Sequence, residues 1–213
     1  MNKGRIAVLT SGGIDSNILV AKMLKKYEEV YPIYIRSGLN WESAELYWLK
    51  KYLRALRQKN LKKNLKPLMI LDMPVSDVLG GWAITSRGTP NYHSPDEDVF
   101  LPGRNLLLLS KAATFCALKK IPRIALGTLS SNPFPDATPD FFRRFEETAG
   151  TALDFPIKIL TPFARFKKRE IAKKALKAKD SLLHLSFSCL APRGIKPCGR
   201  CNKCAESEGM LGG

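Results

Sequence analysis

Short apolar runs alternate with helical patterns along most of this 213-residue chain. Runs rich in β-branched and other apolar residues predict five strands, at residues 6–9, 30–35, 68–71, 124–126 and 157–160. Apolar residues at helical spacing predict helices centred on residues 16–27, 43–58, 105–119, 139–150 and 167–178. Such alternation is typical of a parallel sheet covered by helices on both faces. The predicted fold class is therefore α/β, a doubly wound five-stranded parallel sheet.

The composition is that of a soluble globular protein with a substantial core. Apolar residues make up 45% of the chain and charged residues 25%. No apolar run reaches membrane-spanning length, and the chain begins with a strand pattern rather than with a charged leader and a secretion segment. We therefore expect a cytoplasmic protein with no membrane partner.

The first predicted strand leads directly into Ser11-Gly12-Gly13-Ile14-Asp15-Ser16, and a helical pattern follows. Two glycines allow the backbone to approach an anion closely, and the unpaired N–H groups of a helix start favour negative charge. The serines add hydroxyl donors, and Asp15 can hold Mg²⁺ or cap the helix. These features predict a phosphate cradle, and the absence of Gly-Lys-Ser/Thr excludes a Walker A loop.

Residues 72–104 interrupt the alternation with a connection that is rich in glycine and proline. A long connection within a compact domain is usually functional or mobile. We expect it to form a loop that closes over the active site.

The net charge of +16 suggests an anionic partner. Much of this charge lies in two basic runs, residues 50–66 and 163–179. In the first run, leucines at helical spacing assign the basic residues to the solvated face of an amphipathic helix. We prefer this interpretation to an RNA-binding surface because neither run has aromatic residues spaced for base stacking. Nucleic acid stays open as a partner.

Four of the five cysteines form the pattern C-x8-C-x2-C-x2-C: Cys189, Cys198, Cys201 and Cys204. Thiolates two residues apart can clamp one metal ion, and the more distant Cys189 closes a tetrahedral site. The spacing favours Zn²⁺ over an iron–sulfur cluster, which C-x2-C-x2-C also suits. Because a closed four-sulfur site has no open position, we expect it to be structural. Cys116 is predicted to be a small buried apolar residue on a helix.

The sequence Ser11–Ser16 resembles the PP-loop of the ATP pyrophosphatase superfamily. Together with Leu101-Pro102-Gly103-Arg104-Asn105 and the terminal Pro197-Cys198-Gly199-Arg200-Cys201-Asn202-Lys203-Cys204, it resembles the 7-cyano-7-deazaguanine synthases of queuosine and archaeosine precursor biosynthesis. Gly127-Thr128, Pro135-Asp136 and Lys168-Arg169-Glu170-Ile171 resemble further segments of that family. The resemblance spans nearly the whole chain. It implies a PP-loop domain at residues 1–180 and a zinc-binding segment at residues 181–213.

In that family, ATP and ammonia convert 7-carboxy-7-deazaguanine to the nitrile through an adenylate and an amide. The resemblance implies an ATP-dependent carbon–nitrogen ligase that uses Mg²⁺, releases AMP and pyrophosphate, and forms a homodimer. Implied contacts to ATP are Leu9, Thr10, Ser11, Gly12, Gly13, Asp15, Ser16 and Gly127. Lys168, Arg104 and Asp15 are the implied catalytic residues, the first two neutralising the charge of pyrophosphate. Gly38 and Asp136 are the implied substrate contacts, Asp136 through an edge of the purine-like ring.

The chain departs from the family pattern beside the expected substrate. Ser37-Gly38-Leu39 replaces Tyr-Gly-Gln, and Ser130–Ala137 lacks an acid and a cysteine of the corresponding family segment. Two alternatives therefore stay open: an enzyme that stops at the amide, and a PP-loop enzyme that modifies tRNA as a thiolase or a lysidine-forming enzyme. The tRNA alternative predicts a cysteine pair beside the ATP site or an additional RNA-binding domain.

Overall fold

The computed structural model contains one five-stranded parallel sheet. The structure describes residues 4–58, 63–79, 81–177 and 182–211, apart from the side chain of Leu211. The strands are β1 (Arg5–Leu9), β2 (Glu29–Arg36), β3 (Met69–Asp72), β4 (Arg123–Ala125) and β5 (Lys158–Leu160). Their order is β3-β2-β1-β4-β5, and every pairing is parallel. This confirms the predicted fold class.

Seven α-helices accompany the strands in the described ranges: α1 (Ile14–Leu24), α2 (Glu42–Gln58), α3 (Trp82–Thr85), α4 (Arg104–Leu118), α5 (Pro139–Leu153), α6 (Lys168–Leu176) and α7 (Asn202–Leu211). The five predicted helices are present with shifted ends, whereas α3 and α7 were not predicted. The predicted helix end at residue 178, the domain boundary between residues 180 and 181, and Lys59, Lys62 and Lys179 of the basic runs lie outside the described residues.

The two faces of the sheet bury separate apolar clusters. One cluster joins α1, α2 and α6 and includes Leu19, Leu49 and Ile171. The other joins α4 and α5 and includes Leu109 and Phe142. Helices cover both faces of the sheet, which explains why the strands consist mainly of apolar residues.

Cys116 belongs to the second cluster, and its side chain is fully buried on α4. Burial raises the pKa of this thiol to about 12. A thiol that stays protonated at neutral pH is a poor nucleophile, so the structure agrees with the predicted packing role.

The amphipathic interpretation of the first basic run also holds for the described residues. On α2, Leu49, Leu53 and Leu56 are buried, whereas Lys50 and Arg54 are exposed. In the described ranges, no helix is long and apolar enough to cross a membrane.

The outer edge of β5 is capped by a side chain from α5. Lys158 and Leu160 bond to the β4 side of the strand, so the N–H group of Ile159 points the other way. The Glu146 carboxylate accepts this N–H at 2.7 Å and also contacts the Lys158 ammonium group at 2.6 Å. An N–H group at the edge of the sheet thereby acquires a partner within the chain.

Apolar residues of the described ranges 75–79 and 81–101 pack around the cysteine cluster. Val75, Leu79, Ala83 and Leu101 are buried in one apolar cluster with the cysteines. Asp96 and Val99 of the same segment face the cavity described below. These two residues form part of the cavity wall, and closure of the segment over the active site stays a prediction.

A buried hydrogen bond joins α1 to α2. The Tyr52 hydroxyl donates to the carbonyl oxygen of Asn17 at 2.6 Å, and burial raises the pKa of this phenol. We predict that Tyr52→Phe lowers the free energy of unfolding by about 1 kcal/mol, the usual net value of one hydrogen bond. The control is Tyr47→Phe, on the exposed side of the same helix. Denaturant unfolding measures both, and equal effects of the two changes would contradict this prediction.

Candidate active site

A cavity of about 370 Å³ opens at the carboxyl ends of the strands. Its walls come from the loop after β1, the ends of β2 and β4, the start of α4, and the first turns of α6 and α7. In an open parallel sheet this is the usual position of a ligand.

The loop after β1 is held in shape by Ser16. The Ser16 hydroxyl accepts the N–H groups of Ser11 and Gly12 at 3.3 and 3.1 Å and donates to the Gly13 carbonyl at 3.0 Å. Ser11, Gly13 and Ser16 line the cavity together with Leu9 and Thr10 before the loop. The predicted cradle residues are thus adjacent in space as well as in sequence.

Gly12 is the position where the loop requires glycine. Its φ of +84° lies in the left-handed region, and an added Cβ would lie 3.2 Å from Leu49 Cβ and 3.3 Å from the Glu45 carbonyl oxygen. Close packing of the loop against α2 therefore excludes a side chain here. Gly12 supports the cradle from behind and is not among the described residues that line the cavity.

Asp15 and Lys168 meet across the cavity. Their carboxylate and ammonium groups are 3.4 Å apart, and their side chains are only 20% and 16% exposed. Burial raises the pKa of Asp15, although Lys168 opposes the shift. The helix begins after Gly13, so Asp15 does not act as its N-cap. Lys168 is oriented by the start of α6, where the Glu170 carboxylate accepts the Lys167 N–H group at 2.9 Å.

Buried polar atoms converge on the cavity without partners. Four such side-chain atoms lack a hydrogen bond among the described residues: Thr10 Oγ1, Asp15 Oδ1, Arg104 Nε and Thr128 Oγ1. Buried polar groups are nearly always satisfied, so these atoms suit a cavity that binds a polar ligand. A set with a guanidinium, hydroxyl groups and a free carboxylate oxygen fits a phosphate ester with Mg²⁺.

Gly127 completes the cradle from the end of β4. An added Cβ would lie 3.5 Å from the backbone carbon and Cβ of Asp15, an ordinary contact. Gly127 lines the cavity close to the loop, and its contact to ATP stays a prediction.

Glu45 and Tyr34 form a hydrogen-bonded pair in the cavity that sequence reasoning missed. The Tyr34 hydroxyl donates to the Glu45 carboxylate at 2.7 Å. Burial raises the pKa of Glu45 to about 7, against the lowering effects of Arg104 and of the Tyr34 hydrogen bond; the Glu42 carboxylate raises it further. In the sequence, Glu45 looks like one charge on an amphipathic helix, and no local signal marks it as buried.

The two predicted substrate contacts have hydrogen-bond partners within the protein, and their contact with substrate stays a prediction. The N–H group of Gly38 donates to Glu42 at 3.2 Å, in the turn after β2. Asp136 is buried, and its carboxylate accepts the backbone N–H and the side-chain amide of Asn105 at 2.8 and 3.2 Å. Neither Gly38 nor Asp136 is among the described residues that line the cavity. Asp136 instead holds the start of α4, where Arg104 enters the cavity.

The four predicted metal ligands come together. Their sulfur atoms all lie within 4.8 Å of one another, with Cys201 and Cys204 at 3.5 Å and Cys198 and Cys204 at 3.9 Å. Backbone N–H groups of Leu190 and Cys198 point at the sulfurs of Cys201 and Cys189 at 3.4 and 3.3 Å. Such N–H groups stabilise thiolates around a metal ion. The cluster can hold one metal ion.

A helix that was not predicted begins inside this cluster and enters the cavity. Lys203 and Glu206 of α7 line the cavity beside Lys168. The Glu206 carboxylate contacts the ammonium group of Lys168 at 2.9 Å and that of Lys203 at 3.3 Å. The first turn of α7 contains a lysine and one of the metal-ligand cysteines rather than an apolar stripe, which explains why periodicity did not reveal the helix.

Comparison with solved structures supports the fold assignment. A U34-tRNA thiolase, NcsA from Methanococcus maripaludis, superimposes with a TM-score of 0.50 over 100% of this chain and 66% of its own, at 14% identity. Its description includes a [4Fe-4S] cluster. At this identity the likeness concerns the fold alone.

Sequence comparison is more specific. A 7-cyano-7-deazaguanine synthase 1 from Desulfitobacterium hafniense (strain Y51) is 31% identical, covering 98% of this chain and 91% of its own. A 7-cyano-7-deazaguanine synthase from Sulfurihydrogenibium sp. (strain YO3AOP1) is 30% identical, covering 99% and 96%. The family model described as queuosine biosynthesis protein QueC matches residues 5–210. The chain therefore belongs to the QueC family of 7-cyano-7-deazaguanine synthases.

Proposed function

We propose that this protein converts 7-carboxy-7-deazaguanine and ammonia to 7-cyano-7-deazaguanine and splits ATP into AMP and pyrophosphate. The observation that carries the proposal is the cavity in which the Ser11–Ser16 loop, Arg104 and Lys168 meet. Membership of the synthase family supports the same reaction.

The cavity residues are suited to activate ATP at its α-phosphorus. The N–H groups at the start of α1 hold phosphate oxygens, and Arg104 and Lys168 neutralise the charge that pyrophosphate gains on leaving. Asp15, with one carboxylate oxygen free, is the residue that holds Mg²⁺. When bound, Mg²⁺ supplies Lewis-acid stabilisation of the same charge.

The proposed reaction has two ATP-dependent stages. In the first, the substrate carboxylate attacks the α-phosphorus and pyrophosphate leaves; ammonia then attacks the acyl carbon and AMP leaves, which gives the amide. In the second, the amide oxygen attacks a second ATP in the same way, and loss of AMP and a proton yields the nitrile. Each stage turns a poor leaving group, an oxygen atom, into AMP.

Ammonium must lose a proton before its nitrogen can attack. Glu45 is the proposed proton acceptor, because it lines the cavity and its pKa of about 7 suits a general base at neutral pH. The Tyr34 hydroxyl holds the carboxylate in place, and the positive charge of Arg104 acts on it electrostatically.

Aromatic side chains offer faces for a flat ring. Phe134 lines the cavity and stacks on Phe100 with ring centroids 4.9 Å apart. Trp41 lines it elsewhere and stacks on Trp82 at 5.7 Å. Because the rings behind hold these side chains rigid, little conformational entropy is lost when a purine-like ring binds.

The metal proposed for the cysteine cluster is Zn²⁺. Four thiolates around one zinc ion, with Zn–S bonds of about 2.3 Å, are separated by about 3.8 Å in a tetrahedron. The observed 3.5 and 3.9 Å lie on either side of that value. Sulfurs that bind different irons of a cluster stand further apart, so the spacing favours a single ion.

The first experiment supplies ATP, Mg²⁺, ammonium and 7-carboxy-7-deazaguanine and follows the products by mass. We expect AMP, pyrophosphate and the nitrile, with the amide as an intermediate. Accumulation of the amide alone would identify an enzyme that stops before dehydration. ADP and phosphate as the main products would contradict the PP-loop chemistry. Modification of tRNA without use of the deazaguanine acid would contradict the proposed substrate.

Asp15→Ala should lower kcat/KM for ATP by about 100-fold or more, because it removes the proposed magnesium ligand from the transition state. The control is Asp77→Ala, which changes an exposed carboxylate outside the cavity. Steady-state kinetics and circular dichroism of both variants separate lost chemistry from lost folding. A folded Asp15→Ala variant with normal activity would exclude this role.

Glu45→Gln should change activity and stability in opposite directions. Activity of the wild type should rise as pH passes about 7, and the variant should lose this rise together with most of its turnover. Because the pKa of Glu45 is raised from 4.5, the folded state binds this proton more tightly than the unfolded chain does. The contribution of this proton to the free energy of unfolding is complete below the unfolded-state pKa of Glu45. It is lost as pH rises through the folded-state pKa.

The variant lacks that loss, so its free energy of unfolding relative to the wild type should increase between pH 5 and pH 8. The increase should reach at most about 1.4 kcal/mol per pH unit. Kinetics and denaturant unfolding across this pH range measure both effects. An unchanged pH–rate profile in the variant would show that Glu45 is not the base.

Purified protein should contain about one zinc per chain. Cys201→Ser should remove the metal and lower stability by several kcal/mol, because the cysteines anchor residues 75–101. Cys116→Ala, outside the cluster, should retain the metal. Metal analysis and thermal unfolding measure these effects. A brown, iron-containing preparation would contradict the zinc assignment and identify an iron–sulfur cluster instead.

A further inference from the structure

Lys203 occupies an unusual position for a lysine of a metal-binding motif. It lies between the ligands Cys201 and Cys204, yet its side chain is only 22% exposed and lines the same cavity as the PP-loop. The backbone on both sides of Lys203 is therefore fixed by the cysteine cluster, and its ammonium group is presented to the cavity.

Two lysines share one carboxylate at this wall. Glu206 Oε2 lies 2.9 Å from the ammonium nitrogen of Lys168 and 3.3 Å from that of Lys203. Asp15 also contacts Lys168 at 3.4 Å, and Asp96 contacts Lys203 at 2.7 Å. Protein carboxylates thus hold two like charges together, and polyphosphate oxygens can replace carboxylates in both contacts.

A role as a surface tether does not account for this arrangement. Exposed ion pairs contribute little to stability, and Asp96 is 51% exposed. A lysine that only tied α7 to the segment around Asp96 would have no need to lie in the cavity. The partly buried ammonium group of Lys203 lines the cavity beside Lys168, where it can contact a multiply charged anion together with Lys168.

We propose that Lys203 is a second phosphate-binding cation of this site, positioned by the cysteine cluster and acting with Lys168 on the pyrophosphate part of ATP. This inference rests on the proposed use of ATP. It gives the cysteine cluster a role in binding as well as in structure, because any shift of Cys201 or Cys204 moves Lys203.

The test measures binding, not turnover, with Mg²⁺ and the non-hydrolysable analogue α,β-methylene-ATP in isothermal titration calorimetry. Lys203→Met should raise the Kd about tenfold or more, as expected for loss of one charged hydrogen bond. Lys203→Arg should retain most of the affinity. The control Lys196→Met, at an exposed position before Cys198, should bind the analogue as the wild type does. Zinc content should be unchanged in all three.

Asp96→Asn separates binding from tethering. If Lys203 contacts phosphate, removal of its carboxylate partner should leave the affinity unchanged or tighten it, whereas a pure tether predicts the same weakening as in Lys203→Met. If Lys203→Met does not fold, Lys203→Gln is measured in its place.

Wild-type affinity in a folded, zinc-containing Lys203→Met or Lys203→Gln variant would overturn the inference. A wild-type protein that does not bind the analogue would instead contradict the proposed ATP chemistry, and this inference with it.

Discussion

The parallel pairing of β1 between β2 and β4 is the constraint on which the rest of the molecule depends. Parallel strands bring their carboxyl ends to one edge of the sheet. The parallel arrangement alone therefore brings together the loops that follow β1, β2 and β4. Side chains far apart in sequence, such as Asp15, Arg104 and Lys168, thereby reach one cavity. Gly12 then lets the first loop pack directly on α2, which fixes the cradle relative to the sheet.

The features that could be predicted from the sequence are those with a local signal. Apolar runs predicted all five strands, and the Ser11–Ser16 loop and the four cysteines identified themselves by composition and spacing. Helices with an apolar stripe, such as α2, were predicted to within a few residues at their ends. A site whose residues all lie in one short segment can be predicted from the sequence of that segment.

The features that could not be predicted depend on contacts between distant segments. The sequence suggested that Asp136 contacts the edge of a purine-like ring. In the structure, its carboxylate accepts hydrogen bonds from Asn105 at the start of α4. In the sequence, Glu45 is one charge of an amphipathic helix. In the structure, Tyr34 of β2 donates a hydrogen bond to its carboxylate, and the charge of Arg104 of α4 acts on its pKa. Helix α7 has no apolar periodicity because its first turn serves the cysteine cluster. In each case a neighbour from another element decides the role.

The cap that Glu146 places on β5 limits how molecules of this protein can aggregate. A free strand edge invites another chain to continue the sheet, and such growth leads to fibrils. Here the N–H group of Ile159 at that edge is occupied by a charged side chain from the same chain, beside the ammonium group of Lys158. An incoming strand would have to displace a carboxylate and desolvate a lysine, so this edge of a nucleotide-binding fold is protected against β-sheet polymerisation.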